Sequence, residues 1–346
     1  MLPASNLAAE IFLRFYALNS SVIKYGWEMK QAFRGAALLW LISLPLGGQT
    51  PAAIIVGAPR PVTPEGSLFM APSWSPNSEE LAVTTANYQG VYLVDITGHG
   101  EPVQYGDETV SALGVQWSPA GERLLVYLVR YEHRRRHGAI GVIDLSSGEL
   151  TALTPFDTRP TGEATWLSGG QEIHLNKRGA SRVLPVPGAT LNKQTDRAAS
   201  ETLYYLDRGQ VARLTPGTGE VAAIETVPGR KLNLKISPGS TKMVFEIVGG
   251  HLWVTAIDGS NPVDLGPGYR PSWAPDGTRL AFMAATDDGH QYTSADIIVV
   301  NADGTGRVNI TATEHRLEMN PAWSPDGRAI AYDAMDTGRV YVLEVQ

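Results

Sequence analysis

Trp323-Ser324-Pro325-Asp326-Gly327-Arg328-Ala329-Ile330-Ala331-Tyr332 is the stretch that decides the fold, because the chain repeats it. Close copies start at Trp74 (Trp-Ser-Pro-Asn), Trp117 (Trp-Ser-Pro-Ala) and Trp273 (Trp-Ala-Pro-Asp), each followed by an apolar run. A degenerate copy starts at Trp166, and another has Ile236 in place of the tryptophan. The six copies are 43, 49, 70, 37 and 50 residues apart, near the period of propeller blades. Each part of the motif has a physical reason. Proline fixes φ and keeps the residue before it extended, so the chain leaves one strand cleanly. Asp-Gly supplies the turn that reverses direction. The run that follows, such as Leu124 to Val129, lacks strict alternation, as expected of a strand buried on both faces between stacked sheets.

A second strand recurs after each first hairpin, in windows starting at Val91, Ile140, Leu203, His251, Ile297 and Val340. Six motifs and six second strands predict six blades. The last repeat stops at Gln346 without an outer strand, while the apolar segment 54–63 precedes the first repeat and belongs to none. Laying that segment on the last blade would remove two open sheet edges. The expectation is an all-β, six-bladed β-propeller of four-stranded antiparallel blades over residues 54–346, behind an N-terminal helical leader.

Composition agrees. The chain has 346 residues, 43% hydrophobic and 18% charged, with 36 glycines, 23 prolines and a net charge of −7. Many turns and few charges fit an all-β protein rather than disorder. The absence of cysteine removes disulfide frameworks, zinc–thiolate sites and cysteine nucleophiles. Mild acidity gives no general attraction to nucleic acid, and no cofactor motif is present.

The leader reads separately. Met29-Lys30-Gln31-Ala32-Phe33-Arg34 precedes a run from Ala36 to Leu46 whose sole polar member is Ser43, and Gly-Gly-Gln-Thr-Pro-Ala-Ala follows. Basic, then apolar, then small is the order of a secretory signal, and the run is short for a membrane span. Residues 29–52 are therefore expected to be a signal peptide or, uncleaved, a membrane anchor. Residues 1–28 are expected to be an extension ahead of a start at Met29. The product would be exported, periplasmic or extracellular.

The Trp-Ser-Pro-Asp-Gly repeats with their apolar runs resemble the TolB-type β-propellers over about residues 54–346. That resemblance implies a non-catalytic binding scaffold in the cell envelope, monomeric, with another envelope protein or a small ligand as partner. The sequence leaves no room between Ala53 and Ser73 for the α/β domain that precedes the propeller in that family.

A six-bladed register sorts the loops by face. Turns of the Ser-Pro-Asp-Gly kind lie on one side, and variable loops lie on the other, where ligand contacts usually reside. The most unusual of them, Tyr131 to Gly138, carries His133, Arg134, Arg135, Arg136 and His137. It reads either as a solvated charge run or as a clasp for a carboxylate, a phosphate or an acidic protein surface. Six blades would place it across the axis from an acidic loop holding Asp287, Asp288 and His290, the two forming a polar mouth. His315 maps to the same face. These nine residues are the candidate ligand or partner contacts. The long stretch from Arg178 to Ser200 reads as a partner-binding flap or a loose excursion. No Gly-x-Ser-x-Gly elbow or phosphate-binding loop occurs. The competing reading is a metal-dependent propeller lactonase or esterase, which needs acidic or histidine side chains converging on the axis. The first strands offer mostly small or apolar residues there.

Overall fold

Serine is the member of the motif that closes its turn. Ser75, Ser118, Ser237 and Ser324 each accept, through Oγ, the backbone N–H five residues on, at 2.9–3.1 Å. Asp326 Oδ1 also accepts the backbone N–H of Arg328 at 3.0 Å. Such a closed turn launches the second strand of a blade at a fixed angle.

The computed structural model describes residues 55–346 except 107–109, 160–161, 168, 178–179, 189–201, 216–217 and 315. The predicted leader and the extension before it lie outside the described residues. A short strand, β1 (Arg60–Pro61), comes first. Blade 1 is β2 (Phe69–Trp74), β3 (Glu80–Thr85), β4 (Val91–Asp95) and β5 (Val103–Tyr105). Blade 2 is β6 (Val110–Trp117), β7 (Arg123–Glu132), β8 (Arg135–Asp144) and β9 (Leu150–Ala152). Blade 3 has β10 (Glu163–Trp166), β11 (Glu172–Lys177) and β12 (Ala180–Pro185); blade 4 has β13 (Leu203–Asp207), β14 (Gln210–Thr215) and β15 (Glu220–Ala223). Blade 5 is β16 (Lys231–Ile236), β17 (Lys242–Ile247), β18 (His251–Ala256) and β19 (Val263–Pro267). Blade 6 is β20 (Tyr269–Trp273), β21 (Arg279–Asp287), β22 (Tyr292–Asn301) and β23 (Val308–Asn309). Blade 7 is β24 (Glu318–Trp323), β25 (Ala329–Ala334) and β26 (Arg339–Glu344), with β1 as its outer strand.

The propeller has seven blades, not six. The window at Leu203, read as the second recurring strand of the third repeat, is instead the first strand of a blade of its own. Its first turn is the two-residue Arg208-Gly209, both with positive φ (51° and 78°), the geometry of a tight hairpin. It therefore needs no Trp-Ser-Pro-Asp-Gly and leaves no motif to count. The 70-residue interval holds two blades. Part of the presumed flap is β12 and the three residues after it; 178–179 and 189–200 lie outside the described residues.

Ring closure is as the sequence implies. β1 pairs with β26 (Arg60↔Val342, Pro61↔Tyr341), and Ile55 bridges Val345. Hydrophobic clusters sit one to each of the seven blade junctions, for example Val62, Trp74, Leu81 and Val340 between blades 7 and 1, and Leu167, Leu203 and Tyr205 between blades 3 and 4. Burial between sheets explains the continuous apolar runs.

Two hydrogen-bond systems tie the inner strands to one another. The indole Nε1–H of each of Trp74, Trp117, Trp166 and Trp273 donates to the carbonyl of the residue just before the matching position in the preceding described motif: Ala322, Ser73, Gln116 and Lys235, at 2.9–3.1 Å. Trp323 is the exception: its indole has no hydrogen-bond partner among the described residues, while its backbone N–H donates to Ser272 Oγ at 2.9 Å. The second system uses one recurring position on the second strands of blades 2, 3, 5 and 7. Tyr127 donates to Gly162 O (3.2 Å) and Asn176 to Leu206 O (2.9 Å), each on the next blade. At the same position Glu246 accepts Arg270 N–H (2.6 Å) and Asp333 accepts Ala71 N–H (2.8 Å). The receiving residue can turn its N–H aside because the inner strands bulge there. Ala71, Asn233, Arg270 and Asn320 all have φ between 50° and 55°, three residues before the motif position. Gly162 meets its latch in a related way, at φ 93° with a would-be Cβ 2.3 Å from Asn176 O. Gly162→Ala is expected to open the junction between blades 3 and 4 and lower the melting temperature by several degrees, measured by circular dichroism.

Candidate functional site

Most second and third strands are five or six residues long, but β7, β8, β21 and β22 have nine or ten. The surplus length projects blades 2 and 6 as two hairpin arms on the loop-rich face. The arginine-rich stretch is thus not a loop. It is the end of a ladder in which Arg130 pairs with His137, Tyr131 with Arg136 and Glu132 with Arg135, turning at His133-Arg134. Both turn residues have positive φ, 49° and 62°.

Alternation then separates the arginines. Arg135 shares a face with Glu132, Arg130 and His137, and Arg136 shares the opposite face with Tyr131. Glu132 bonds Arg130 at 2.9 Å and lies 3.8 Å from His137, while the Arg130 guanidinium covers the Phe156 ring at 3.9 Å. One face of the arm is therefore internally paired. The other presents Tyr131, 64% exposed, beside Arg136. Three adjacent arginines do not form one clasp.

The acidic tip of the second arm is turn chemistry. Asp287 accepts Gly289 N–H (2.8 Å), and Asp288 accepts the N–H groups of His290 (2.8 Å) and Gln291 (2.9 Å). Those bonds hold the Asp288 carboxyl below the usual range. Such Asx turns explain the aspartates at this tip. With seven blades the arms do not face each other across the axis; they stand three blades apart, with blades 7 and 1 between them on the shorter side. His315 lies outside the described residues. His251 pairs with Asp264 at 3.0 Å. Among the described residues no group of three or more His, Asp or Glu side chains is placed to hold a metal ion.

Between the arms lies a feature the sequence reading missed. Met70, Met283 and Met319 are buried against partly buried Tyr88, Tyr269, Tyr292, Leu317 and Met335. This cluster spans blades 6, 7 and 1 rather than one junction. Met283 occupies the latch position taken by Glu246 and Asp333 elsewhere, so the polar latch is replaced there by packing. Tyr269 and Tyr292 rings lie 6.1 Å apart and tilted by 55°. The signal was present in the numbering: Met70, Tyr269 and Met319 each fall four residues before a motif tryptophan.

Charged residues also occupy the inner strands, contrary to the expectation of small or apolar ones. The inner strands of blades 4 and 5, 5 and 6, 6 and 7, 7 and 1, and 1 and 2 touch, and inner strands carry Glu163, Asn233, Lys235, Arg270 and Asn320. Lys235 is open to solvent, yet burial by surrounding protein, and then Arg270, hold its amine below the ordinary lysine value. Glu163, also open to solvent, has its pKa raised by burial and pulled back by Lys235.

No protein-family model matches the sequence, and no curated protein matches it. Among solved structures, the β-propeller domain of Cps50 (Swd1) from Myceliophteria thermophila aligns over 85% of this chain and all of its own, with 12% identity and a TM-score of 0.56. This likeness shows the propeller fold alone. A putative TolB from Agrobacterium tumefaciens aligns at 17% identity over 82% of this chain and 91% of its own, with a TM-score of 0.48. TolB from Acinetobacter baumannii aligns at 18% identity over 73% of this chain and 56% of its own, with a TM-score of 0.47.

Proposed function

We propose that the chain is a non-catalytic binding scaffold exported to the cell envelope, and that its partner is a protein seated between the two hairpin arms. The observation that carries this reading is the bracketing of the methionine–tyrosine cluster by arms on blades 6 and 2. The methionines are buried, but Tyr88, Tyr269 and Tyr292 of the cluster keep part of their surface open, and tyrosine and arginine dominate interface hot spots. The Tyr131–Arg136 face of the first arm adds a rim suited to an acidic surface. Export is supported by the basic-then-apolar order of residues 29–52.

Affinity capture from the organism's own envelope tests this. Wild-type protein is expected to recover a partner that a variant with Arg134, Arg135 and Arg136 all changed to Ala recovers at least tenfold less. Equal recovery by the two would overturn the reading. Single changes should divide by face: Arg136→Ala is expected to account for most of the loss, and Arg135→Ala, on the internally paired face, for little.

A further inference from the structure

We propose that the open face of the first arm reads an extended acidic segment of the partner protein, whose carboxylates at alternate positions meet Arg136 and the pair Arg159 and Lys177. This rests on the reading of the arms as partner-binding elements and names what they recognise. The backbone assigns the face. Arg136 pairs with Tyr131 and Gly138 with Val129, and residues two apart on a strand share a face. Gly138 also pairs with Asp157 through two backbone bonds: its N–H donates to Asp157 O at 2.8 Å, and Asp157 N–H donates back at 3.0 Å. Paired residues project to the same side, so the Asp157 carboxyl stands on the side of Tyr131 and Arg136. Phe156, one residue earlier, agrees, since it meets Arg130 on the opposite face.

Asp157 gathers two further cations on that side. Arg159 Nη2 lies 2.7 Å and Lys177 Nζ 3.3 Å from its Oδ2, and Arg159 Nε–H donates to Oδ2 at 2.8 Å and Oδ1 at 3.1 Å. These bonds use one edge of the guanidinium. The Arg159 side chain stays 64% exposed, and its Nη1 edge is free among the described residues. One carboxylate cannot neutralise two cations. Arg136 is exposed, and its guanidinium makes no hydrogen bond or ion pair among the described residues. The face therefore carries a cationic surplus in a chain whose net charge is −7.

Spacing selects the ligand. Arg136 is two residues from Gly138, so its Cα lies about 7 Å along the strand from the Asp157 pairing. Alternate residues of an extended peptide are the same distance apart and point the same way. Two such carboxylates can each meet a guanidinium fork, while the Tyr131 ring packs against their aliphatic stems. An anionic lipid surface fits less well. The net charge of −7 opposes approach to it, and the arm offers one exposed aromatic ring rather than an apolar tip to insert.

The test is fluorescence polarisation of a labelled peptide of alternating Glu and Thr titrated with the full chain, the same peptide with Gln for Glu being the control. Saturable binding of the acidic peptide alone is expected. Arg136→Gln and Arg159→Gln should each weaken it about fivefold, and Arg135→Gln, on the internally paired face, should leave it within about twofold. No saturable binding, or equal weakening by Arg135→Gln and Arg136→Gln, overturns the proposal. So does co-sedimentation with phosphatidylglycerol vesicles at a salt concentration that abolishes peptide binding, because the face then serves a lipid surface. All three positions are exposed, so near-ultraviolet circular dichroism should stay native. Should Arg159→Gln loosen the turn at Asp157, Arg136→Gln alone decides. The two readings fail separately. Peptide binding without a captured envelope partner leaves this site and removes that reading; a captured partner without peptide binding leaves that reading and removes this site.

Discussion

Asp333→Asn should make the protein more stable at neutral pH, and Asp333→Ala should make it markedly less so. Asp333 is 3% exposed and fastens blade 7 to blade 1 through Ala71 N–H while holding Asn320. Burial pushes its carboxyl up to about 6, against two hydrogen bonds that pull it down. An acid whose pKa is higher folded than unfolded stabilises the fold below the unfolded value, and that contribution is lost as pH rises through the folded value. The window therefore runs from about pH 4 to about pH 6, and a rise of about two units corresponds to about 3 kcal/mol across it. Asparagine keeps the acceptor oxygen for both donors and cannot ionise, so stability should gain up to ~2–3 kcal/mol at pH 7 and lose its slope in that window. Alanine leaves the Ala71 and Asn320 donors unmet in a buried site and should cost about 2–4 kcal/mol. Urea denaturation at pH 4, 5, 6 and 7 measures both. A loss at pH 7 in Asp333→Asn as large as in Asp333→Ala would show that the charge itself holds the latch.

That carboxylate also shows what the sequence does and does not disclose. The fold class was legible because a motif built on turn and φ chemistry recurs, and four of its five tryptophans turned out to carry the indoles that bridge neighbouring blades. Closure by residues 54–63 was legible because an apolar segment without a repeat must cover some edge. Blade 4 was not legible, since Arg208-Gly209 achieves with two left-handed residues what blades 1, 2, 5 and 7 do with a closed serine turn. The arms were misread for a related reason. Charge made Tyr131 to Gly138 look like a loop, but a two-residue turn at His133-Arg134 needs no glycine in sight, and strand pairing extends through the arginines. The Asp287-Asp288 pair has the composition of a ligand site and the bonding of a turn. The methionine–tyrosine cluster was hidden because its members are dozens of residues apart and meet only through the ring. Met70, Tyr269 and Met319 still share one offset from a motif position, so a register-aware reading of offset −4 would have found them.

Removing the closing strand should unfasten the ring rather than merely soften it. β1 contributes few residues, but they are linked to β26 at several points. Val62 N–H donates to Val340 O at 2.9 Å, Val340 N–H donates to Thr63 Oγ1 at 2.9 Å, and Arg339 Nε–H donates to Thr63 O at 2.8 Å. Val62, 2% exposed, belongs to the core between blades 7 and 1, and Arg60 reaches over to Ile96 O on blade 1. Pro61 has no N–H, which suits an outermost strand whose far side must not recruit another chain. Thr63→Ala alone leaves a buried N–H unmet and should cost about 1–3 kcal/mol. Coupled with Val62→Ala, which removes buried methyl groups and leaves a cavity, the loss should reach about 3–5 kcal/mol, though the two effects need not add. Deleting residues 55–63 goes further, because it bares the edge of β26 from Arg339 to Glu344 and turns it into a template for intermolecular pairing. Hydrogen exchange at the Val340 and Val342 amides should rise toward the unprotected rate in the deletion, the melting transition should broaden, and the protein should associate on concentration. A deletion variant that kept slow exchange in β26 and a single sharp transition would mean that the seventh sheet is held by the blade junctions alone, and that the ring needs no clasp.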